Sequence, residues 1–229
     1  MRAPLAVVAA AAAGMAACGG GGSGPTTTAA ATPVIAGTII TLNTSGYSQL
    51  ASVSDAQASR FLLQAQFSAS DADINSVRSL GYAHWIESQA AKPSGILAWD
   101  WLNAQGYGDV NNAANYYDST APGDYMVWNQ LMTAPDAVRK RLALALSEFF
   151  VVSLTGLDFA WRSHAMAHYW DILCNNAFGN YRQLLEEVTL SIAMGEFLNT
   201  LGNQKEDAST GRLPDENYAR EVMQLFSIG

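Results

Sequence analysis

The sequence predicts an all-α fold, a multi-helical, bundle-like domain that begins near Ser54. Three observations support this prediction. Apolar residues recur at helical spacing in one segment after another, residues typical of helix starts precede several of these segments, and 49% of the 229 residues are hydrophobic, enough to bury one sizeable core. The chain divides into residues 1–17, 18–53 and 54–229, which we interpret as a signal peptide, a tether and the helical domain.

The first segment has the pattern of an export signal. Arg2 precedes an apolar run from Leu5 to Ala13, and Met15-Ala-Ala-Cys18 supplies small residues before a cysteine. The arrangement resembles a bacterial lipoprotein signal, which implies lipidation at Cys18 and a membrane anchor in the periplasm or at the cell surface. The residue after Cys18 is not Asp, which resembles the pattern sorted to the outer membrane. The alternative is an ordinary secretory signal cleaved nearby.

Residues 18–53 are rich in Gly, Thr and Ala, a composition typical of a flexible tether. Val34 to Leu42 carries β-branched residues and forms either one strand or an apolar part of the tether. The net charge of −8 is spread along the chain, which argues against nucleic acid as a partner. The second cysteine, Cys174, has no nearby Lys or His in sequence, so we interpret it as an inert packing residue.

The helical domain is predicted element by element. Ser54 with Gln57 forms a capping box for a helix through Phe67. Ser70 or Asp71 begins a second helix that Gly81 ends. The remaining predicted helices are Tyr82 to Ala91, Val138 to Leu154 behind a Thr133-Ala-Pro-Asp136 start, Ala160 to Phe178, Asn180 to Met194 and Asp215 to Ile228.

The helical pattern stops between Trp99 and Tyr125, where Asn, Gly, Asp and Tyr dominate. A long irregular segment in a compact domain is either functional or mobile. Aromatic rings beside amides and carboxylates suit a carbohydrate or peptide surface; a plain surface loop with Tyr rings folded inward has the same composition. The candidate ligand-binding residues here are Trp99, Trp101, Tyr107, Tyr116 and Tyr117.

The helix from Val138 carries a glutamate at the border of its predicted apolar stripe, which comprises positions 138, 142, 145, 149 and 152. We therefore expect Glu148 to be buried or nearly so. A buried carboxylate needs a partner. Pairing with Arg182 or Arg60 is one interpretation, and a catalytic acid with a raised pKa is the other.

The next helix has spacing that suits a metal site. His164, His168 and Asp171 fall in one narrow band of the helix, and two imidazoles with a carboxylate can hold zinc or iron if another element supplies a further ligand. The pattern lacks the acid of a zinc protease motif between the histidines. The alternative is the solvated face of an amphipathic helix.

The last helix has a predicted buried stripe of Tyr218, Val222, Leu225 and Phe226 and an ion pair between Glu216 and Arg220. A separate polar row comprises Asn217, Glu221 and Gln224. This row either keeps the helix soluble or faces a ligand, and the two interpretations carry equal weight.

Several segments resemble one bacterial family in the same order. They are Arg60 to Phe67, Arg139 to Ser153, Tyr169 to Thr189, Met194 to Asn199 and Pro214 to Gly229. The family is the one called domain of unknown function 1800, and the resemblance covers the chain from about Ser54. It implies a secreted or envelope protein whose helical domain continues beyond this sequence. It also implies a possible protein partner, because members are often encoded beside a family that resembles sulfatases.

Two hypotheses follow for the function. In the first, the chain is an envelope-anchored or secreted helical binding or assembly module linked to extracellular polymer metabolism. In the second, it is an extracellular hydrolase or metal-dependent enzyme that uses the carboxylates of Glu148, Glu196 or Glu221, with or without the two histidines. The family resemblance transfers no catalytic residue, so the choice between them remains open.

Overall fold

A computed structural model of the chain describes residues 39–41, 48–50 and 54–228. The fold is all-α, as predicted, with one short pair of strands. By contacts between residues the chain forms two compact units, Met1–Lys92 and Pro93–Gly229. The predicted signal peptide, the lipidation site Cys18 and most of the predicted tether lie outside the described residues.

The first unit begins with a short antiparallel pair. Strand β1 (Ile39–Thr41) pairs with β2 (Ser48–Leu50), with Ile39 opposite Leu50 and Thr41 opposite Ser48. Part of the segment from Val34 to Leu42 is therefore a strand. Its partner strand was not predicted, because Ser48–Leu50 lacks the β-branched residues that are typical of a strand.

Helix α1 (Asp55–Ala65) starts at the predicted capping box. The main-chain N–H of Gln57 donates to Ser54 Oγ at 3.4 Å, and the N–H of Ser54 donates to Gln57 Oε1 at 3.0 Å. The two bonds satisfy donors that a helix start leaves free. The helix ends two residues before Phe67, the predicted end.

Helix α2 (Asp71–Ala90) starts at Ser70, whose side chain accepts from the N–H of Asp73 at 3.2 Å. Gly81 interrupts the helix with φ 75° and ψ 163°, a conformation that only glycine adopts readily. The predicted break at Gly81 is thus confirmed. In this unit the ring of Phe61 packs 5.4 Å from Trp85, which is buried.

The second unit contains seven α-helices in its described part. They are α3 (Ala98–Ala104), α4 (Ala121–Thr133), α5 (Ala137–Phe149), α6 (Arg162–Asn176), α7 (Tyr181–Thr189), α8 (Ile192–Phe197) and α9 (Asn217–Met223). Two 3-10 turns, Tyr116–Asp118 and Leu154–Gly156, lie before α4 and α6. A π turn, Gln224–Ile228, follows α9.

Helix α6 is the centre of this unit. It contacts α3, α4, α5, α7 and α8 and both 3-10 turns. Most of its side chains are buried, and the core around it includes Leu102, Met126, Phe150 and Met194. A helix covered on several sides must bury polar as well as apolar residues, so the interpretation of α6 as an amphipathic surface helix is wrong.

Several predicted helix boundaries in the second unit differ from the structure. Thr133 ends α4 instead of capping α5, which begins after Asp136 and ends at Phe149 rather than at Leu154. The predicted helix from Asn180 to Met194 is two helices. Its break lies at Ser191, whose side chain accepts from the N–H of Met194 at 3.3 Å and begins α8. A serine that caps a new helix competes with continuation of the old one.

The predicted ion pair of Glu216 with Arg220 on α9 is confirmed. Of the predicted buried stripe, Tyr218 and Phe226 are buried, whereas Leu225 is exposed. The π turn accounts for the difference, because its wider turn rotates residue 225 away from the face that a regular helix would give it. No helix in the described part of the chain is long and apolar enough to cross a membrane.

Candidate functional site

Helix α3 is held against α6 by a buried carboxylate. Asp171 accepts hydrogen bonds from the main-chain N–H groups of Ala98 at 2.7 Å and Trp99 at 3.0 Å. Leu97, the residue before α3, offers no side-chain cap, so Asp171 satisfies these donors from another helix. Burial raises the pKa of Asp171, and the two amides and Lys140 oppose that rise.

His164 lies two turns before Asp171 on the same helix and is only 2% exposed. Its Nε2 is 3.2 Å from Asn103 Oδ1 on α3. Because an amide oxygen can only accept, the proton of the neutral imidazole belongs on Nε2. Nδ1 is then a buried acceptor, and it has no hydrogen-bond partner among the described residues. Burial lowers the pKa of His164, which favours this neutral form.

Two part-exposed indoles cover the imidazole. The ring centroid of Trp99 is 5.1 Å from that of His164 and the centroid of Trp161 is 5.2 Å from it, both edge-to-face. Trp99 is 43% exposed and Trp161 is 37% exposed. Gly108 closes the remaining side, since a Cβ there would lie 3.4 Å from His164 Nε2 and 3.1 Å from Asn103 Oδ1. Only glycine lets the loop approach this closely without displacing a neighbour.

Trp161 has a main-chain conformation that is rare for a bulky residue, with φ 68° and ψ 18°. Its N–H donates to the carbonyl oxygen of Tyr117 at 2.6 Å, and the two rings lie 5.7 Å apart. The next residue, Arg162, forms a 2.8 Å ion pair with Asp118. The 3-10 turn is therefore bound to the start of α6 at two adjacent positions.

A second ring group surrounds Tyr107. Its ring centroid lies 5.9 Å from Trp101, 5.0 Å from Tyr116 and 6.3 Å from Tyr125. We call the two ring groups together the aromatic surface, which comprises Trp99, Trp101, Tyr107, Tyr116, Tyr117, Tyr125 and Trp161. It includes all five aromatic residues predicted as ligand-binding candidates.

The irregular segment is shorter than predicted. Trp99 and Trp101 belong to α3 and Tyr125 belongs to α4, so helices supply part of the aromatic surface. Sequence reasoning missed Trp161, and it named His164 as a metal candidate without predicting that the imidazole is buried beneath two indoles. The available signal was the position of Trp161, an aromatic residue at the start of the helix predicted from Ala160.

The three metal candidates do not share an environment. His168 is exposed, whereas His164 and Asp171 are buried. Both carboxylate oxygens of Asp171 accept from main-chain amides. Within residues 39–41, 48–50 and 54–228 the structure has no group of three or more His, Cys, Asp or Glu side chains placed to hold a metal ion.

The prediction that Glu148 is buried is wrong, because this glutamate is exposed, as are Arg182 and Arg60. The buried face of α5 is formed by Val138, Arg139, Lys140 and Ala143 instead. A long aliphatic stem lets a lysine serve as a core residue when its ammonium group has partners.

The buried charges of this unit surround Asp136, and Lys140 has no exposed surface. Asp136 Oδ2 lies 3.7 Å from Lys140 Nζ and 3.7 Å from Arg139 Nε, and it accepts from the N–H of Gly95 at 3.1 Å. Arg139 also donates to the carbonyl oxygen of Cys174 at 3.0 Å. This network joins α5, α6 and the segment before α3.

Cys174 lies in contact with this network, since Lys140 Nζ is 3.4 Å from its Sγ. No Lys is close to Cys174 in sequence, but the fold brings Lys140 into contact with it. Burial nevertheless raises the pKa of the Cys174 thiol to about 12, and Lys140 opposes that rise. The thiol therefore stays protonated, which agrees with an inert packing role.

The remaining candidates lie on α8, on α9 and in the π turn. Glu196 and Asn217 are half-buried, and Gln224 is exposed. Glu221 is half-buried, and its Oε2 is a buried atom without a hydrogen-bond partner in the described part of the chain. The predicted polar row is thus divided, because the π turn changes the face that residue 224 occupies.

A scan against family models matches residues 60–229 to the family described as Protein of unknown function (DUF1800). Comparison with curated proteins and with solved structures found no similar chain. The family match extends over most of the sequence and over all of the second unit, which carries the aromatic surface. The chain therefore belongs to the DUF1800 family.

Proposed function

We propose that the chain is a binding module of the bacterial cell envelope that holds an extracellular polymer on its aromatic surface. The observation that carries this proposal is the group of two exposed indoles, Trp99 and Trp161, over one buried histidine. Aromatic rings provide large apolar contact area, and rings that remain exposed in a folded domain are common in binding surfaces.

Hydrogen bonds fix the main chain at both indoles, which favours a preformed binding surface over a mobile loop. The N–H of Trp99 is held by Asp171, and the N–H of Trp161 is held by the carbonyl group of Tyr117. Side chains fixed before the ligand arrives lose less conformational entropy on binding. The surface therefore suits a ligand that makes repeated, shallow contacts, as a polymer chain does.

Export and anchoring are parts of the same proposal. The lipoprotein-like pattern ending at Cys18 suggests a lipid anchor in the outer membrane, followed by a tether that would let the helical domain reach the polymer. Incorporation of labelled palmitate into the wild-type chain and its loss in Cys18→Ser would support the anchor. Equal labelling of both chains would contradict it. A sulfatase-like neighbour is the possible protein partner of this module.

The binding proposal is tested by affinity electrophoresis of the Cys18→Ser chain through gels that contain one extracellular polymer each. We expect at least one polymer to retard the chain. The double variant Trp99→Ala with Trp161→Ala should migrate as it does in a gel without polymer. Unchanged migration of the parent chain in every polymer, neutral or charged, would contradict the proposal.

An extracellular hydrolase is a second candidate, because Glu221 carries a buried carboxylate oxygen that has no hydrogen-bond partner in the described part of the chain. Such groups are common where a substrate supplies the missing donor. Incubation of the chain with the polymer that it binds, followed by analysis of soluble products, tests this candidate. Product that disappears in Glu221→Gln would favour the hydrolase, and absence of product in the wild type would leave binding alone.

A further inference from the structure

Except for Trp161, the residues of the aromatic surface lie in a stretch of the chain whose charged side chains are all acidic. No Lys or Arg occurs between Lys92 and Arg139, a stretch that supplies α3, the irregular segment and α4. The same stretch has four exposed carboxylates, Asp100, Asp109, Asp118 and Asp124. A surface of this kind repels polyanions, which bind where free cations are clustered.

The nearest cation in sequence to the indoles is already engaged. Arg162 follows Trp161 directly, and its guanidinium group forms a 2.8 Å ion pair with Asp118. This ion pair offsets the positive charge of Arg162 and so weakens its attraction for a sulfate or carboxylate. The charge distribution therefore argues against sulfated and uronate polymers as ligands.

One of the four carboxylates forms an ion pair and a second accepts hydrogen bonds within its own loop, which leaves fewer free acceptors for a polycation. Asp118 pairs with Arg162, and Asp109 Oδ1 accepts from the main-chain N–H of Asn111 at 2.8 Å and from its Nδ2 at 3.2 Å. Exposed amide side chains, such as those of Asn103 and Asn111, accompany the rings. Amides bind uncharged hydroxyl groups well, since they both donate and accept.

On these grounds we propose that the aromatic surface binds a neutral glycan chain, with the sugar rings stacked on Trp99 and Trp161. This inference rests on the proposed function and deepens it. The apolar C–H faces of a pyranose ring fit the negative face of an indole, while its hydroxyl groups point sideways to polar neighbours. Because both indoles contact one imidazole, they are close enough for a single chain to contact both.

His164 adds an argument for a hydroxylated ligand. Its Nδ1 is a buried acceptor that lacks a donor among the residues that the structure describes, and it belongs to the ring that both indoles cover. An unsatisfied buried acceptor is unfavourable. A hydroxylated ligand carries such a donor, which an aliphatic ligand does not.

Isothermal titration calorimetry tests the proposal with the full chain carrying Cys18→Ser. The probes are a soluble neutral glucan, a soluble neutral mannan, the sulfate ester of the same glucan, an oligogalacturonate and polylysine. We expect a neutral glycan to bind and the sulfated glucan to bind at least about tenfold more weakly. Trp99→Ala and Trp161→Ala should each weaken binding by about tenfold, a loss within the range of one aromatic stacking contact.

Phe149→Ala provides the matched control. Phe149 is 42% exposed, close to the exposure of Trp99, but it packs against Phe150 and Phe226 instead of His164. We expect this variant to bind the glycan as the parent chain does. Circular dichroism of each variant checks that it is folded, and a Trp→Phe variant at the same position replaces any that is not.

Each other outcome overturns a defined part of the account. Equal or tighter binding of the sulfated glucan or the oligogalacturonate, or a preference for polylysine, overturns the neutral glycan but leaves a binding module. Glycan binding that survives both tryptophan variants overturns the site. If none of the five probes binds but another polymer retards the chain in gels, the neutral glycan is the wrong class of ligand. If no polymer binds in either experiment, the proposed function itself is overturned.

Discussion

The main-chain N–H of Trp161 donates a 2.6 Å hydrogen bond to the carbonyl oxygen of Tyr117. This bond holds Trp161 in the left-handed region, with φ 68°, at the start of the central helix α6. A non-glycine residue is rarely stable there without support from its surroundings, and such conformations concentrate at functional sites. The position of the indole over His164 therefore depends on a strained backbone.

The strain predicts the order of stability of two variants at this position. Trp161→Ala and Trp161→Gly both remove the ring, but only glycine adopts this conformation without steric conflict. We expect the Gly variant to have a free energy of unfolding about 1 kcal/mol higher than the Ala variant, measured by urea denaturation. An Ala variant as stable as the Gly variant would show that residue 161 is not left-handed.

The buried histidine predicts a pH dependence of stability. Burial lowers the pKa of His164 below its ordinary value of 6.5. Between the lowered pKa and 6.5 the unfolded chain binds more protons than the folded chain, so the free energy of unfolding falls as the pH falls through this window. Below the lowered pKa this contribution no longer changes.

His164→Gln should lack this part of the pH dependence, whereas His168→Gln should retain it. His168 lies one turn further along α6 and is exposed, which makes it the matched control. Urea denaturation of the three chains between about pH 7.5 and about pH 5 measures the effect. Equal slopes for the wild type and His164→Gln would contradict the buried position of His164.

The buried ion network predicts that Asp136 contributes more to the stability of the fold than Lys140 does. Asp136 contacts both Lys140 and Arg139, so Asp136→Asn leaves two buried cations without a shared anion. We expect this change to lower the free energy of unfolding by about 3 kcal/mol. Lys140→Met removes one cation, leaves Asp136 with Arg139, and should be less destabilising. The reverse order in denaturant unfolding would assign the central role to Lys140.

The burial of Cys174 predicts that its thiol is unreactive in the folded protein. Its pKa is raised to about 12 by burial, and its side chain has no exposed surface. In the Cys18→Ser chain, where Cys174 is the remaining cysteine, a disulfide reagent at about pH 8 should modify it only after unfolding in guanidinium. Rapid modification of the folded chain would indicate an accessible thiolate held by Lys140.

Local signals in the sequence predicted several helix starts and breaks. The capping box at Ser54, the cap at Ser70 and the break at Gly81 were predicted correctly, because each depends on residues within one turn of one another. Tertiary contacts decided the environment of Glu148, Lys140 and the two histidines. An apolar stripe does not reveal that α6 is covered on several sides, or that a lysine on α5 reaches a buried aspartate.

The aromatic candidates illustrate the same distinction. Composition alone identified Trp99, Tyr107 and Tyr116, since aromatic residues in a segment rich in amides and carboxylates are unusual. It could not identify Trp161, which comes from a distant part of the chain and joins the surface through its bond to Tyr117. The buried acceptor on His164 likewise depends on packing that no single helix pattern contains.

Fluorine NMR of the chain labelled with 5-fluorotryptophan would show whether Trp99 and Trp161 contact a neutral glycan. The six tryptophans give separate signals that single Trp→Phe variants assign. We predict that a saturating neutral glycan shifts the signals of Trp99 and Trp161 and leaves those of the buried Trp85 and Trp170 unchanged. Signals of Trp99 and Trp161 that do not move while the glycan binds would contradict the account.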